Sequence, residues 1–308
     1  MKHFFFKKNK DYQKIDENFY STEKMDVTTL RVTKFYTDHP FPNYENLETI
    51  RDLSDKLQKN IFLSNFKKQI GFGKKIIEVG SGTSQLSLML AHNTNNLVVA
   101  FDPTLASITL GKEFADKNSL KNCFFLNGDI FDDPIEHETF DIVWCTGVLH
   151  HTKDSNKAFD IITQWLKPEG IIIIGLYNKF GRFRTNFRQY IYKLLGKSIG
   201  RKYVKIFDPY LRNNISKIKA DSWINDQYEH PVERSHTIDE VLKWFNNNNI
   251  SFLNSIPSAD LSEINYKNLF EKRKFGNMLT RVISQILMLF SRLGSEGGLF
   301  IVIGKKNK

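Results

Sequence analysis

The chain has 308 residues, 41% hydrophobic and 25% charged, which suits one large globular domain or a core domain with additions. That composition excludes a disordered or collagenous chain, and two cysteines, Cys123 and Cys145, exclude a disulfide framework and suit a reducing cytosol. The formal charge of +10 is local: residues 176–207 carry nine Lys/Arg and no Asp/Glu, whereas the body outside this segment and the two termini is net acidic.

In chain order, the amino terminus MKHFFFKKNK has too few apolar residues for a signal-peptide core or a membrane span. Residues 1–34 read as polar and weakly periodic. FYTDHPFPNY at 35–44 predicts a fixed, extended turn, because each proline restricts its own φ and that of its predecessor. Apolar residues at 50, 53, 57, 61 and 62 predict helical structure within 47–69. From Lys74 onward, short apolar strands alternate with helices. The strands are IIEV (76–79), LVVAF (97–101), CFFLN (123–127), FDIVW (140–144) and IIIIGL (171–176); helices are predicted over 85–92, 104–116 and 154–166. Near-continuous apolar strands separated by helices predict a parallel sheet buried on both faces, wound by right-handed crossovers into a doubly wound α/β fold. A basic stretch over 179–235 interrupts the scheme. IDEVLKWFNNN (238–248) then predicts a helix, ISFLNSIP another strand, and GGLFIVIGKK (297–306) a last one. The run 278–293 is broken by Arg281, Gln285 and Arg292, so it predicts an amphipathic helix. The expected location is the cytoplasm, soluble or loosely peripheral to a membrane.

The stretch IIEVGSGTSQLSLMLA (76–91) reads as strand, glycine turn and helix, an arrangement that cradles part of a nucleotide-like ligand. Gly80 and Gly82 are present, but the third position of the dinucleotide fingerprint is Gln85. Glu78 at the strand end suits a cationic, amine-bearing ligand better than a pyrophosphate. Asp102, ending the second strand, is placed to accept from ribose hydroxyls, a device shared by dinucleotide and S-adenosylmethionine enzymes. Asp129 with Ile130, after the third strand, suits an adenine amine and ring, with Asp132 and Asp141 as competing acids.

EVGSGTS, FDP, NGDI, FDIVWCTGVLHHT and LKPEGIIII occur in this order within 74–178. Together they resemble the consecutive motifs of the class I S-adenosylmethionine-dependent methyltransferases, in type the small-molecule enzymes that include the ubiquinone/menaquinone C-methyltransferases. One departure is Ser84, where many members have a third glycine. The resemblance implies S-adenosylmethionine as cofactor, contacted by Glu78, Gly80, Gly82, Asp102, Asp129, Ile130 and the Thr146–Gly147 turn. It also implies a Rossmann-like seven-stranded sheet with an antiparallel last strand. The chain then divides into an N-terminal arm and helical cap (1–73), a cofactor-binding core (74–178), a basic helical insert after the fifth strand serving as a substrate lid (179–235), and completion of the core (236–308).

Methyl transfer from a sulfonium is an in-line displacement, for which a protein aligns the reacting atoms and excludes water. A base is needed only where the acceptor loses a proton. His150 and His151 follow the fourth strand, close to where the family places the methyl group. Either acts as that base, or the pair orients and packs the site. CTGV stands where enzymes acting on adenine or glutamine amide carry an Asn/Asp-Pro-Pro-aromatic motif, and Cys145 lacks the proline neighbour of cytosine C5 enzymes. In DQYEHPVERSH (226–236), His230, Glu233 and His236 are ligand types for zinc or iron, yet no metal is assigned. Asp226, Gln227, Tyr228 and His230 are read instead as a polar substrate wall.

Acceptor specificity is expected from the additions. Tyr36, His39, Phe41 and Tyr44 either fold over the cofactor as a lid, with Tyr36, His39 and Tyr44 contacting the substrate, or staple the arm to the core. In the insert, Phe183, Phe187, Ile191 and Leu194 have helical spacing beside Arg184 and Arg188. The leading reading is a lid with its apolar side buried on the core and its arginines solvated or gripping an acidic substrate. A second is a basic amphipathic helix over 180–205 resting on an anionic membrane. RNA contact comes last, since no RNA-binding module accompanies it. The expected function is methyl transfer to a small or lipid-like organic molecule. RNA modification, or a non-catalytic cofactor-sensing or partner-binding role on the same scaffold, are the alternatives.

Overall fold

The structure, a computed structural model, describes residues 4–22, 24–38, 40–42, 44, 49–213, 215–290 and 298–308. Strands β1 (Gln13–Asp16) and β2 (Phe19–Ser21) precede helices α1 (Val27–Asp38), α2 (Ile50–Gln58) and α3 (Ile61–Ile70). The alternating part runs β3 (Lys75–Val79), α4 (Gln85–Ala91), β4 (Leu97–Asp102), α5 (Leu105–Lys117), β5 (Cys123–Asn127), β6 (Phe140–Thr146), α6 (Ser155–Gln164) and β7 (Leu166–Tyr177). Helices α7 (Phe183–Phe207) and α8 (Lys217–Ile224) follow, then α9 (Ile238–Asn247), β8 (Ile250–Ile256), α10 (Met278–Leu287) and β9 (Leu299–Lys306).

Among the described residues nine strands form one sheet, in the order β1-β2-β5-β4-β3-β6-β7-β9-β8. Strands β3 to β7 are parallel, and β9 runs antiparallel to both of its neighbours. Alternation along each strand builds the two faces: Ile77, Val79, Val99 and Phe101 join one core cluster, while Ile76, Val98 and Ala100 join the other. With both faces covered, the strands read as unbroken apolar runs. From β3 the chain winds outward to β4 and β5, then returns to β6 and β7 on the other side of β3. This reversal opens a crevice at the carboxyl ends of β3 and β6, where ligands bind in open α/β sheets.

The expected count of seven strands is corrected to nine. The arm, which the sequence pattern made polar and weakly periodic, adds a hairpin, with β2 lying parallel to β5 through Phe19↔Phe125 and Tyr20↔Leu126. Its anchor is aromatic: Phe5 and Phe6 are buried against Tyr20 and Phe124 on the sheet edge. Three adjacent phenylalanines have no strand or helix period, so their burial depends on a surface formed 120 residues away in sequence.

The expected burial of the insert's apolar side on the core is corrected. Phe183, Phe187 and Leu194 of α7 are exposed, and the polar side of the helix faces the protein. Arg188 Nε donates to the Tyr228 hydroxyl at 3.0 Å, Gln189 donates to Gln227 O at 2.6 Å, and the Tyr192 hydroxyl donates to Glu229. Helical geometry breaks at Gly196 (φ 72°). No described helix is long and apolar enough to cross a membrane.

Candidate cofactor and acceptor cleft

A cleft of about 650 Å³ opens at the switch point. All eight residues expected at the cofactor line it: Glu78, Gly80, Gly82, Asp102, Asp129, Ile130, Thr146 and Gly147. The turn after β3 is tight because Gly80 and Gly82 both take positive φ, 69° and 52°. A Cβ on Gly80 would meet Val148 Cγ2 at 2.1 Å, so this position admits only glycine without rearrangement.

Four of the turn's amides are spent inside the protein. Gly80 N and Ser81 N donate to Phe101 O at 2.7 and 3.1 Å, Gly82 N donates to Asp102 Oδ2 at 2.7 Å, and Ser84 N donates to Ser81 O at 2.8 Å. A phosphate cradle requires such amides to be turned toward the ligand. Here a carboxylate takes that place instead, which fits a ligand with ribose hydroxyls and positive charge and no phosphate. Asp102 is buried, with Thr104 N donating to Oδ1 at 2.7 Å, and burial raises its pKa. Ile130 and Phe131 supply an apolar wall at the end of β5. This donor set fits S-adenosylmethionine: Asp102 for the ribose, Ile130 and Phe131 for the adenine ring, and the open turn at Gly147 (φ 78°) near the end of β6.

Two of the expected contacts have prior partners. The carboxylate of Glu78 accepts from Ser87 N at 2.8 Å and from the Ser87 hydroxyl, so it caps the start of α4 while bordering the cleft. Burial pushes its pKa up to about 8. Asp129 accepts from Phe131 N at 2.9 Å and from Asp26 N at 2.8 Å, which ties the approach to α1 onto the end of β5. Neither Asp132 nor Asp141 lines the cleft; they pair with Lys10 and Lys167.

At the other end, His151, Tyr36, Tyr177, Trp223, Asp226 and Gln227 close the cleft. A π-helical turn at Asn225–Glu229 carries Asp226 and Gln227 into this wall. The Tyr36 hydroxyl donates to Asp226 Oδ1 at 2.9 Å, while Gln227 Nε2 reaches both Asp226 Oδ2 (2.7 Å) and the Tyr177 hydroxyl (2.9 Å). Behind them the fully buried Arg182 donates to Gln227 Oε1 at 2.7 Å and to both oxygens of Glu233, and its guanidinium lies 3.7 Å from the Tyr177 ring centre. Tyr177 and Arg182 are missed by sequence reasoning; a tyrosine ending the fifth core strand beside the mouth of the crevice was the available signal.

The histidine pair separates. His151 borders the cleft; its Nδ1 lies 2.7 Å from Val232 O, which can only accept, so Nδ1 carries the proton and Nε2 keeps its lone pair. Burial lowers its pKa to about 4. His150 does not line the cleft. It is fully buried against Tyr177, its Nε2 has no partner, and burial holds its pKa well below the usual imidazole value.

Other expected contacts are corrected by position. Tyr44 stacks on Phe114 and donates to Thr83 O at 2.6 Å, behind the glycine turn. Phe41 does line the cleft, and its carbonyl lies where a Cβ on Gly82 would sit, at 2.2 Å. Tyr228 is buried under α7 with its hydroxyl on Asp208, outside the cleft. His230 stacks behind His151 at 3.8 Å between ring centres. His39 lies outside the described residues. Of the other metal-ligand types, Glu233 pairs with Arg182, and His236 lies between Glu240 (3.0 Å) and Ser155 (3.1 Å).

Comparison with known proteins agrees with this geometry. A family model described as a methyltransferase domain matches residues 70–249. An uncharacterised protein of Synechococcus is 25% identical over 201 residues, 58% of this chain and 48% of that protein. A ubiquinone biosynthesis O-methyltransferase of Haemophilus ducreyi is 28% identical over 113 residues, 35% of this chain and 47% of that protein. The chain thus spans about half the length of these curated relatives. The structure of PKMT2 from Rickettsia typhi in complex with AdoHcy shares the fold, with a TM-score of 0.55 at 16% identity over 80% of this chain and 54% of that one. The fold and cleft place the chain in the class of methyltransferase domains. The chain belongs to the methyltransferase-domain family.

Proposed function

We propose that the protein transfers a methyl group from S-adenosylmethionine to a small or lipid-like organic acceptor with an ionisable hydroxyl or amine. The reading rests on one observation: a single cleft runs from the Asp102 end to a polar wall of the buried Tyr177, Asp226 and Gln227 and the half-buried Tyr36. S-adenosylmethionine supplies an activated sulfonium methyl group. The chain's residues hold the acceptor in line and exclude water, for which the aromatic rings of Tyr36, Tyr177 and Trp223 provide the dry surface. His151 Nε2 accepts the acceptor's proton or hydrogen bond, with Nδ1 pinned on Val232 O. His150 supports the Tyr177 ring from behind. The distant ubiquinone O-methyltransferase relatives favour an acceptor of this kind. The 179–235 segment serves the site through its Trp223–Gln227 stretch, and the arm through Tyr36.

The test uses the purified chain, methyl-labelled S-adenosylmethionine and an extract of the source organism, with products partitioned into organic, small aqueous, RNA and protein fractions. Label in the organic or small aqueous fraction supports the proposal. Label confined to RNA or protein overturns the acceptor class, and cofactor binding without any transfer favours a sensing role.

A further inference from the structure

Helices α7 and α10 are amphipathic with the sides reversed. In α7, Phe183, Phe187, Tyr190 and Leu194 fall at i, i+4, i+7 and i+11, one stripe along a helix, and all four are exposed. Thr185 and Tyr192, on the opposite side, are buried. The same spacing recurs from α10 into the turn after it, where Leu279, Ile283, Ile286 and Phe290 are exposed while Ser284, Gln285 and Met288 are buried. Leu194 is 68% exposed and Phe290 74%.

The two stripes are neighbours. The Arg184 guanidinium lies 5.9 Å from the Phe290 ring centre, and Gly181, just before α7, sits against Met288. Water gains nothing from an apolar stripe of this length, and a contiguous exposed apolar face marks an interaction surface. Its charge selects the partner. Arg184 and Lys193 flank the α7 stripe on either side by helical position, within a segment of nine basic residues and no acidic one, of which Arg182, Lys197 and Arg201 are paired with Glu233, Glu229 and Asp221. A second copy would bring two such segments together and is disfavoured by like charge. Apolar rings between cations match the boundary between the acyl chains and the headgroups of an anionic bilayer.

We propose that the α7–α10 face docks the protein on an anionic lipid surface, with the apolar stripes entering the headgroup boundary and Arg184 and Lys193 meeting lipid phosphates. The docking is independent of which acceptor the cleft takes, because none of these stripe residues lines the cleft.

Co-sedimentation of the full chain with phosphatidylcholine vesicles, with and without phosphatidylglycerol, tests it. Binding is expected only with phosphatidylglycerol, weakening as salt is raised. The double variant Phe187→Glu/Ile283→Glu should lose at least about tenfold in vesicle affinity while keeping its circular dichroism, melting temperature and S-adenosylmethionine affinity. Arg184→Glu/Lys193→Glu, which leaves the apolar stripe intact, should flatten the salt dependence. No sedimentation of the wild type with anionic vesicles at low salt overturns the proposal. So does equal binding by the Phe187→Glu/Ile283→Glu variant. Concentration-dependent dimers abolished by that variant, without vesicle binding, would assign the face to self-association instead.

Discussion

The Tyr36 hydroxyl donates to Asp226 Oδ1 at 2.9 Å across 190 residues of sequence, joining the N-terminal arm to the insert over the cleft. Burial raises the Tyr36 pKa well above the usual phenol value, so the hydroxyl stays protonated and remains the donor. Removing one partner of a buried hydrogen bond costs about 1–3 kcal/mol. Tyr36→Phe should therefore lower turnover roughly ten- to hundredfold if the wall aligns the acceptor. Cofactor affinity by calorimetry should change less than about threefold, because Asp102 and the glycine turn are untouched. Equal losses in both would place Tyr36 at the cofactor rather than at the acceptor.

Asp102 spends one oxygen on Gly82 N and the other on Thr104 N, and each retains a second lone pair for a ribose hydroxyl. Asp102→Asn preserves shape but turns one acceptor into a donor facing a backbone N–H. S-adenosylmethionine affinity should fall by at least about tenfold in calorimetry, corresponding to about 1.4 kcal/mol. Unchanged affinity would remove Asp102 from the cofactor site.

His151, lowered by burial to about 4, is neutral throughout the physiological range. The rate contribution of this group should be flat from about pH 8 to pH 6 and fall only as the pH approaches 4. His151→Ala should reduce turnover by roughly 10²-fold or more with cofactor affinity nearly intact. A turnover unchanged by the substitution would leave His151 a packing residue.

The buried imidazoles also predict acid sensitivity. Burial lowers the pKa of His150, His151 and His230, the last to about 3. The unfolded chain binds protons on these rings near pH 6.5 while the folded chain does not, so their contribution is complete above about pH 6.5 and is lost as the pH falls toward the folded values. Glu78, raised to about 8 by burial, works the other way: its contribution is present below about pH 4.5 and is lost as the pH rises through 8. His230→Phe isolates one ring. Between about pH 6.5 and pH 5 the variant should lose about 2 kcal/mol less than the wild type in urea unfolding, one proton's linkage over that interval. Equal losses would mean that His230 protonates inside the folded protein.

Much of the cofactor half was legible from sequence. Continuous apolar runs and glycine spacing are local properties, so β3, the Gly80–Gly82 turn and Asp102 follow from a few neighbouring residues. The acceptor half was less legible for a specific reason. Tyr36, His151, Tyr177 and Asp226 come from four segments, and nothing in any one segment shows which of its polar side chains turns inward. Tyr228 and Asp226 are two residues apart; a π-helical turn sends Asp226 to the cleft and Tyr228 under α7. Tyr44 shows the same limit, for its hydroxyl is taken by Thr83 O, a partner 39 residues away.

The sequence by itself therefore determined the fold class, the position of the glycine turn and the family, because apolar period and turn chemistry act over short spans. Tertiary structure decided the nine-strand count, the separation of His151 from His150, and the outward apolar stripes of α7 and α10. In each case the outcome depends on which distant surface wins the competition to bury a side chain. A helical period shows that Phe183, Phe187 and Leu194 share one side; only the hydrogen bonds of Arg188, Gln189 and Tyr192 to the body of the protein settle that this side faces outward.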